Sequence, residues 1–481
     1  MNISVIARIL GIWMLLFSAS LLPPAIIALI YHDGEALHFS LLILFSLIAG
    51  LTVWLMSAKH KTQLRTRDGF IIVVILWLVT SVIGSFPFIF GLGLSLADSI
   101  FESVSAFTTT GATVITGLDE LPKSILFFRQ EMQWLGGIGV VVSAIALLPM
   151  LGIGGMQMFK AETPGPMKDE KLTPRIAHTA QALWKLYLTL TVTCALLYWA
   201  GGMSPFDAIA HSLSTVSTGG FSTHDASLGY FDSVFIEAVA SIFMLLGGIN
   251  FGVHYLALKR LSLKQYWQAL EVRVFLIFVL AVILLTSGVL YIEGTKETLL
   301  EALRYGSFTV ASVVTSTGFG IDDFSVWPTM LPLLLILISF VGGCAGSTAG
   351  GMKVIRFIIM GKGAQLEIQR LVHPNMIKSL QLQNKTLDTR VADSVRGFFS
   401  VYVATFVFFM LFLMGQGMDQ VTAFSAVATS MNNLGPGLGE VAANFQAVSD
   451  SAKWILALAM LLGRLEIFTL LVVLSPSFWR R

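Results

Sequence analysis

Four short polar stretches, each containing a glycine, recur at nearly even intervals along an otherwise apolar chain. They read SAFTTTGAT (105–113), STVSTGGFS (214–222), SVVTSTGFG (312–320) and ATSMNNLGPG (428–437). Aligning one glycine from each stretch pairs Gly111, Gly219, Gly318 and Gly435. The fold must therefore place four similar polar segments in equivalent positions.

The surroundings of these stretches are typical of a membrane protein. The chain has 481 residues, of which 55% are hydrophobic and 12% charged, whereas about 25% are charged in a typical soluble domain. Several apolar runs reach the ~20 residues that cross a hydrocarbon core of about 30 Å. Spanning segments are predicted near 3–30, 39–57, 70–90, 132–158, 184–201, 232–258, 272–292, 330–360, 398–415 and 453–475. Two cysteines in apolar surroundings, Cys194 and Cys344, predict no disulfide framework.

Basic residues cluster in alternate connections, within 59–67, 160–175, 259–273 and 353–396. The positive-inside rule places these connections, and both termini, in the cytoplasm. The four polar stretches then lie on the opposite side of the membrane.

Each polar stretch follows a short, partly apolar segment. These segments cover 97–108, 205–217, 297–315 and 420–431. A ten-residue helix is about 15 Å long, so it enters a membrane without crossing it. The unit is therefore a helix, a half-helix, a polar return and a second helix, and each copy begins and ends on the same face. Four such copies must be parallel around an axis along the membrane normal, unlike the inverted repeats of many transporters.

The sequence thus predicts an all-α polytopic membrane protein, in which four parallel M1–P–M2 pore repeats surround a central pore. Two extra N-terminal transmembrane helices precede them. The predicted boundaries are 1–57 for the extra helices, 70–158 for repeat 1, 184–258 for repeat 2, 272–360 for repeat 3 with a broken second helix, 361–397 for a cytoplasmic connection and 398–481 for repeat 4.

Polar backbone at membrane depth is tolerated only where protein buries it or water reaches it. Glycine frees the backbone to turn a carbonyl inward, and rings of carbonyl oxygens replace the hydration shell of K⁺ in potassium filters. The candidate filter residues are Thr110, Gly111, Thr218, Gly219, Thr317, Gly318, Leu434 and Gly435. The alternative is that these small residues only pack helices closely. Four copies in equivalent positions favour the filter.

The second helices share another pattern. Glycine pairs occur at Gly136-Gly137, Gly247-Gly248 and Gly342-Gly343, and the fourth repeat has Gly463-Arg464 in their place. An arginine at a helix centre costs roughly 2.5–3.5 kcal/mol on insertion scales, so it should face protein or water. Glu466 is two residues away and would not share its helix face, so the partner is expected among backbone carbonyls or across the pore. Arg464 is either an electrostatic barrier to cations or a packing or snorkelling arginine.

The third repeat contains GGCAGSTAGGMK (342–353), with five glycines. Each glycine costs about 1 kcal/mol in a helix relative to alanine, which predicts a broken helix whose loop, roughly 343–351, crosses the pore beneath the filter. Such a loop would act as a gate, although tight packing against a neighbouring helix or subunit would also use small residues. The candidate gate residues are Gly343, Gly346, Ser347, Thr348, Gly350, Gly351 and Arg464.

Several motifs resemble those of one family over essentially the whole chain. They are TTTGAT (108–113), GGFSTHDAS (219–227), GGCAGST (342–348), RLVHP (370–374), NNLGPGLG (432–439) and GRLEIFTLL (463–471). Together with the four repeats, they are similar to the Trk/Ktr/HKT superfamily of potassium transporters, and the two extra N-terminal helices match its bacterial Trk members.

The resemblance implies potassium as the transported ion, and it implies potassium selectivity because Gly111, rather than a serine, occupies the first filter position. It also implies an arginine at the position of Arg464, a gate that moves when a cytoplasmic partner acts, and a homodimer. The implied partner is a TrkA-like nucleotide-binding cytosolic regulatory protein, and the implied location is the bacterial inner (plasma) membrane. This chain has no P-loop or dinucleotide fingerprint, so no organic cofactor is expected in it.

The function predicted is that of the membrane-embedded, ion-conducting subunit of a bacterial potassium uptake system. A potassium symporter coupled to H⁺ or Na⁺ is the alternative. No HExxH or GxSxG motif occurs, so an enzyme is not expected, and neither is a nucleic-acid partner. His224 falls in a predicted external loop and is interpreted as a structural or vestibule residue. The regulator is expected to dock on 361–397 and 160–183.

Overall fold

The structure, a computed structural model, describes residues 3–57, 66–147, 172–383 and 385–480. The helices are α1 (Ile3–Ser20), α2 (Leu22–Tyr31), α3 (Ala36–Ser57), α4 (Thr66–Gly84), α5 (Phe86–Leu92), α6 (Leu96–Phe107), α7 (Lys123–Leu147), α8 (Leu172–Ala200), α9 (Pro205–Val216), α10 (Val234–Gly248), α11 (Phe251–Arg260), α12 (Lys264–Gln268), α13 (Leu270–Ile292), α14 (Leu299–Val314), α15 (Leu331–Ile338), α16 (Val354–Val372), α17 (Thr389–Gly415), α18 (Gln420–Met431), α19 (Asp450–Arg464), α20 (Phe468–Leu474) and α21 (Pro476–Trp479). A short antiparallel hairpin pairs β1 (Gln381–Leu382) with β2 (Lys385–Thr386).

The helical content places the chain in the predicted all-α membrane class. In the described part of the chain, six helical spans are long and apolar enough to cross a membrane, and the number rises to eight if each of two bent helix pairs forms one span. The six spans are Ile3–Tyr31, Ala36–Ser57, Arg67–Leu92, Ala180–Ala200, Leu270–Ile292 and Thr389–Gly415. The chain is therefore a multi-pass membrane protein.

Four short helices, α6, α9, α14 and α18, precede the four polar stretches, and we call them the pore helices. Each begins at a polar residue whose side chain accepts a hydrogen bond from a backbone N–H of the first turn. The capping residues are Ser95, Ser204, Thr298 and Asp419. In the first three, an acidic residue follows three positions later, which is the capping-box pattern of a helix start.

The pore helices pack in a cyclic order. Helix α9 of repeat 2 packs against α7 of repeat 1, α14 packs against α10, and α18 packs against α15. The cycle closes because α6 of repeat 1 packs against α19 of repeat 4. Helices α1–α3 lie outside this cycle and pack on repeat 1 through α4 and α7. Four parallel repeats therefore surround one axis.

Two second helices that the sequence predicts as continuous are sharply bent. Between α10 and α11 the chain turns by 101°, and between α19 and α20 it turns by 113°. At the first bend, the side chain of Asn250 accepts a hydrogen bond from the N–H of Gly252 at 2.7 Å and so starts a new helix. At the second bend, Glu466 and Ile467 both have positive φ, 54° and 48°. The helix of repeat 3 is also interrupted, between Ile338 and Val354.

The predicted repeat boundaries remain predictions. Repeat 1 was predicted to end at 158, and its last eleven residues, 148–158, lie outside the described residues, as do residues 58–65 and 159–171 of the basic connections. The connection 361–397 contains the end of α16, the hairpin and the start of α17. A small apolar cluster, which includes Ile355, Leu382 and Val391, packs these elements together.

Candidate functional site

All four pore helices end in the same backbone geometry. The second residue after each helix adopts a left-handed conformation: Thr109, Thr218, Ser316 and Asn433 have φ of 54°, 53°, 54° and 53°. The next residue, which we call the middle residue, donates its N–H back to the helix. The middle residues Thr110, Gly219, Thr317 and Leu434 bond to the carbonyls of Ser105, Ser214, Ser312 and Thr429 at 2.9, 2.8, 2.8 and 2.8 Å. These bonds satisfy carbonyls that the helix end leaves without a donor.

A glycine with positive φ follows each middle residue. These four ring glycines are Gly111, Gly220, Gly318 and Gly435, with φ of 80°, 82°, 83° and 96°. We call 108–111, 217–220, 315–318 and 432–435 the candidate filter strands. Their common geometry shows that the repeats are equivalent in structure as well as in sequence.

The second repeat differs from the sequence alignment by one residue. The alignment pairs Gly219 with Gly111, but Gly220 has the backbone conformation of Gly111, and Gly219 is a middle residue. Thr218 is likewise equivalent to Thr109, not to Thr110. Two adjacent glycines leave the register undecided in sequence, and only the backbone conformation distinguishes them.

The four strands touch side by side and close into a ring. A Cβ placed on Gly111 would overlap the carbonyl of Gly219, and one on Gly220 would overlap the carbonyl of Thr317. A Cβ on Gly318 would in turn overlap the carbonyl of Leu434. The ring closes at Gly435, whose Cβ would lie 2.8 Å from the carbonyl oxygen of Thr110. Only glycine fits this close approach of backbone to backbone.

Most carbonyls of the candidate filter strands have no hydrogen-bond donor in the part of the chain that the structure describes. Among the described residues, none donates a hydrogen bond to the carbonyls of the left-handed residues or of the ring glycines. The left-handed residues are at most 1% exposed. Buried carbonyls are normally paired with protein, with water or with an ion. This set of oxygens is chemically suited to a dehydrated monovalent cation.

A buried ion pair supports the first strand, and the sequence analysis missed it. Glu102 of α6 accepts hydrogen bonds from Arg129 Nε at 2.8 Å, from Thr113 Oγ1 at 3.0 Å and from the N–H of Val114 at 3.0 Å. Both charged side chains are fully buried. The guanidinium of Arg129 also lies 4.0 Å from the ring centre of Phe221. One carboxylate thus fixes the chain just beyond Gly111. Glu102 and Arg129 stand out in the sequence as charged residues in apolar surroundings. That they contact each other depends on the fold.

Glutamines of α7 hold the second strand. The amide of Gln133 donates to the carbonyl of Gly219 at 2.6 Å and accepts from Ser214 Oγ at 2.7 Å and from the N–H of Phe221 at 3.2 Å. Gln130 Nε2 donates to the carbonyl of Phe221 at 3.1 Å. Both glutamines are fully buried. Sequence reasoning did not single them out, because a glutamine in a long helix carries no signal for a contact 86 residues away.

The interrupted segment of repeat 3, residues 339–353, lies against the bend of repeat 2. The N–H groups of Cys344 and Thr348 donate to the carbonyls of Gly248 and Gly247 at 2.8 and 3.1 Å. The Nδ2 group of Asn250 donates to the carbonyl of Ala345 at 2.6 Å. The bend frees carbonyls at the end of α10, and the interrupted segment supplies their donors. The interruption in repeat 3 and the bend in repeat 2 therefore supply hydrogen-bond partners to each other.

Glu271 joins the middle of the interrupted segment to the first turn of α16. Its Oε1 accepts hydrogen bonds from the N–H of Ala345 at 2.9 Å and from the N–H of Ile355 at 3.2 Å. Lys353 Nζ donates to the carbonyl of Ala349 at 2.5 Å. Both charged side chains are buried. The segment is thus held by its own lysine and by a carboxylate of α13.

The predicted gate residues other than Arg464 occupy this segment. Gly346 and Gly351 have positive φ, 69° and 67°, while a Cβ on Gly343 would lie 2.7 Å from the carbonyl oxygen of Gly248. Gly350 lies against the carbonyl of Asn432, next to the fourth candidate filter strand. The hydroxyl of Thr348 bonds to the carbonyl of Gly247, but the buried hydroxyl of Ser347 has no partner in the described chain.

Arg464 joins three repeats. Its Nη1 donates to the carbonyl of Thr348 at 2.8 Å, and its Nη2 lies 3.5 Å from the carbonyl oxygen of Gly136. The side chain is buried. Its partners are backbone carbonyls, which was one of the two predicted options.

Glu466, two residues after Arg464, instead forms an ion pair with Arg356. The hydroxyls of Thr348 and Thr218 are 3.3 Å apart, so the interrupted segment reaches the candidate filter.

His224 connects the loops that follow the first two candidate filter strands. It forms an ion pair with Asp119, its Nε2 lies 3.6 Å from Asp207 Oδ1, and its ring stacks on Tyr230. Burial lowers the pKa of His224, but the two carboxylates outweigh burial and raise it. The hydrogen bond from His224 lowers the pKa of Asp119. Among the described residues, no group of three or more His, Cys, Asp or Glu side chains could hold a metal ion. The contacts of His224 are those of a structural residue.

Comparison with known proteins adds to this geometry. The family model described as "TrkH: Cation transport protein" matches residues 37–481. The Trk system potassium uptake protein TrkH of Vibrio parahaemolyticus is 50% identical over 480 residues, which is 99% of each chain. The protein of the same name from Escherichia coli K12 is 47% identical over 482 residues, with both chains fully covered. The crystal structure of the potassium transporter TrkH from Vibrio parahaemolyticus matches with a TM-score of 0.93 at 47% identity and covers both chains fully.

Proposed function

The chain belongs to the TrkH family of cation transport proteins, and from this premise we propose that it is the membrane-embedded, ion-conducting subunit of a bacterial potassium uptake system. Cation transport, not catalysis, is the activity of this family. The observation that carries the proposal is the closed ring of four candidate filter strands, in which the carbonyls of the left-handed residues and of the ring glycines have no hydrogen-bond donor among the described residues. The relatives are named as potassium uptake proteins, which agrees with such a site.

In this proposal, K⁺ is coordinated by backbone oxygens of the filter strands. The layer above the pore helices is formed by the left-handed residues, the middle residues and the ring glycines. Carbonyl oxygens at these levels replace water around the ion. The C-terminal ends of four pore helices point their partial negative charge toward the same place, which favours a cation. The proposed filter residues are therefore the predicted set, Thr110, Gly111, Thr218, Gly219, Thr317, Gly318, Leu434 and Gly435, with Gly220 and the left-handed residues Thr109, Ser316 and Asn433 added.

The interrupted segment 339–353 and Arg464 form the proposed gate. Thr348 contacts the filter strand of repeat 2, and Arg464 holds the same residue from the other side. A cation that leaves the filter in this direction meets a peptide segment and a buried guanidinium charge. Conduction then requires the segment to move and Arg464 to leave its carbonyl partners. Movement of the segment would also break its hydrogen bonds to the carboxylate of Glu271 and to the carbonyl of Gly248.

The partner and location follow from the family in the same way. The relatives belong to a "Trk system", a name that implies more than one component. We expect a TrkA-like nucleotide-binding cytosolic regulatory protein to dock on the basic connection 361–397 and on 160–183. Of the latter, residues 160–171 lie outside the described residues, and 172–183 form the start of α8 and not a loop. The protein is further proposed to be a homodimer in the bacterial inner membrane, with both termini in the cytoplasm.

The decisive experiment is uptake of radiolabelled Rb⁺ by liposomes that contain the purified protein. Uptake that excess K⁺ blocks and excess Na⁺ spares is the expected result. If the closed gate prevents uptake, a variant with 343–351 shortened is measured in the same way. Absence of uptake by both proteins, or equal competition by Na⁺ and K⁺, would contradict the potassium filter. Uptake that follows a pH or Na⁺ gradient at fixed membrane potential would identify the symporter alternative.

A further inference from the structure

The middle residues of the four filter strands differ in how their side chains hold the strand. Thr110 and Thr317 each anchor their strand through their own hydroxyl, which lies 2.7 Å from the hydroxyl of the threonine two residues earlier. Leu434 buries an apolar side chain completely. Gly219 has no side chain, so the second strand lacks an anchor of its own at this level.

The side chain of Gln133 occupies the space that a side chain on Gly219 would fill. A Cβ on Gly219 would overlap the Gln133 amide and would lie 2.9 Å from Gln133 Cβ. Gly219 is outside the left-handed region, so its backbone conformation does not require glycine. Position 219 is a glycine because the side chain of Gln133, from repeat 1, fills the space that a side chain there would need.

Gln133 also satisfies the polar groups around this space. Its amide bonds to the carbonyl of Gly219, the hydroxyl of Ser214 and the N–H of Phe221, so the C-terminal end of the strand and the pore helix before it are joined by one side chain. Each of these groups is buried in the protein interior, where a polar group without a partner is costly.

In two other repeats, a methionine takes the place of Gln133 and a threonine takes the place of Gly219. Gly136, Gly247 and Gly463 each pack against the carbonyl of the last residue of their own pore helix, Phe107, Val216 or Met431. This register makes Gln133 equivalent to Met244 and Met460, which are fully buried. In the cyclic order, Met244 precedes the strand of Thr317, and Met460 precedes the strand of Thr110. A methionine thus accompanies a threonine middle residue, and the glutamine accompanies the glycine.

We propose that Gln133 is a positioning residue for ion selectivity, which supplies from repeat 1 the anchor that the filter strand of repeat 2 lacks at Gly219. This inference rests on the proposed potassium filter. Gln133 does not coordinate the ion; it fixes the strand that carries the carbonyls of Thr218 and Gly220. Gln133 and Gly219 therefore act as a unit, and the pair should be exchangeable for the methionine and threonine of the other repeats.

The test is a cycle of three variants: Gln133→Met, Gly219→Thr and the two together. The readout is the ratio of Na⁺ to K⁺ needed to halve Rb⁺ uptake into liposomes, which general loss of active protein does not change. Gln133→Met leaves three polar groups without a partner, and Gly219→Thr overlaps the glutamine. We expect each single variant to lower this ratio about tenfold, which corresponds to the loss of roughly one buried hydrogen bond.

The double variant reproduces the combination of Met244 and Thr317. We expect its selectivity ratio to return to within about twofold of wild type, because coupled neighbours do not add independently. Gln181→Met is the matched control, since Gln181 is exposed on α8, and it should leave the ratio unchanged. If Gln133→Met cannot be purified as folded protein, the ratio of the double variant decides alone.

A wild-type ratio in Gln133→Met, or a double variant no better than the single ones, would overturn the inference and leave the proposed function standing. Wild-type uptake that Na⁺ blocks as well as K⁺ would overturn the proposed function and this inference with it.

Discussion

The guanidinium of Arg464 and the carbonyl of Thr348 are joined by a hydrogen bond of 2.8 Å, although the two residues belong to the fourth and third repeats. The bond places a buried positive charge directly on the interrupted segment. Any movement of that segment away from α19 must break it. Arg464 is therefore both a charge in the proposed path and a mechanical restraint.

Replacing Arg464 should open the path. In Arg464→Met the interrupted segment loses this bond and the path loses its positive charge. We expect Rb⁺ uptake by the purified protein to rise about tenfold, in line with loss of one charge-assisted hydrogen bond of roughly 1.5–3 kcal/mol. Arg260→Met is the control, because the side chain of Arg260 is exposed and, among the described residues, donates a hydrogen bond to Gln265 alone. Unchanged uptake in Arg464→Met would show that other contacts limit opening.

Glu271 offers a test of the second restraint. The backbone N–H groups of Ala345 and Ile355 donate to the same oxygen of Glu271, Oε1. The amide of a glutamine can still present one carbonyl oxygen there. We therefore expect Glu271→Gln to resemble wild type in Rb⁺ uptake. Glu271→Leu leaves the N–H groups of Ala345 and Ile355 without an acceptor, at about 1–3 kcal/mol each, and should raise uptake. Equal effects of the two variants would assign the role to the charge of Glu271.

The register of the second strand predicts an order of severity between adjacent glycines. Alanine at Gly220 must adopt φ of 82° and overlap the backbone of Thr317, and the left-handed conformation alone costs roughly 1–2 kcal/mol. For an alanine at Gly219, the three atoms nearest to the new Cβ all belong to the side chain of Gln133. Rb⁺ uptake should be at least about tenfold lower in Gly220→Ala than in Gly219→Ala. The reverse order would restore Gly219 as the equivalent of Gly111.

The buried pair of Glu102 and Arg129 should govern stability more than transport. Arg129→Met leaves the carboxylate of Glu102 buried without its partner, which costs about 3–5 kcal/mol. Thermal unfolding in detergent should therefore begin at a clearly lower temperature than in wild type. Glu102→Gln combined with Arg129→Met removes both charges and should recover part of the loss. A double variant less stable than Arg129→Met would contradict this account.

The loop contact at His224 should depend on pH. The pKa of His224 is raised in the folded protein, so its contribution to stability is complete below the unfolded pKa of about 6.5. That contribution is lost as pH rises through the higher folded value. The pKa of Asp119 is lowered, so its contribution is lost only in strong acid. The difference in melting temperature between wild type and His224→Gln should be largest near pH 6 and should shrink toward alkaline pH.

A difference that grew with pH would mean that His224 stabilises the loops as a neutral ring stacked on Tyr230. His373→Gln provides the control, because His373 is exposed on the connection after α16. Its melting temperature should follow that of wild type throughout.

Much of the architecture could be predicted from sequence because it follows from length and polarity. Segments too short to cross a membrane, each followed by a polar return, lead to four parallel repeats without any knowledge of contacts. The unusual composition around Gly343 predicts an interruption for the same reason. The family resemblance agreed with these expectations and added the transported ion.

Other features depended on contacts between distant segments. Asn250, Glu466 and Ile467 give no sign of a bend, because the apolar sequence around them is equally compatible with a straight helix. The register at Gly219 and Gly220 depends on φ, which two adjacent glycines do not reveal. Gln133 and the pair of Glu102 and Arg129 become visible only when repeat 1 is placed beside its neighbour.

Four repeats in one polypeptide allow a feature to occur once around the axis. A tetramer of identical subunits that carried an equivalent of Arg464 would bring four guanidinium charges to one place, where like charges disfavour one another. Covalent linkage removes that constraint, so the chain has a single arginine at the glycine-pair position, a single glycine-rich interruption, and a glutamine at Gln133 where two other repeats have Met244 and Met460. The fusion of the repeats therefore permits an asymmetric gate beneath a nearly symmetric ring, an arrangement that no self-assembled ring of one subunit type can encode.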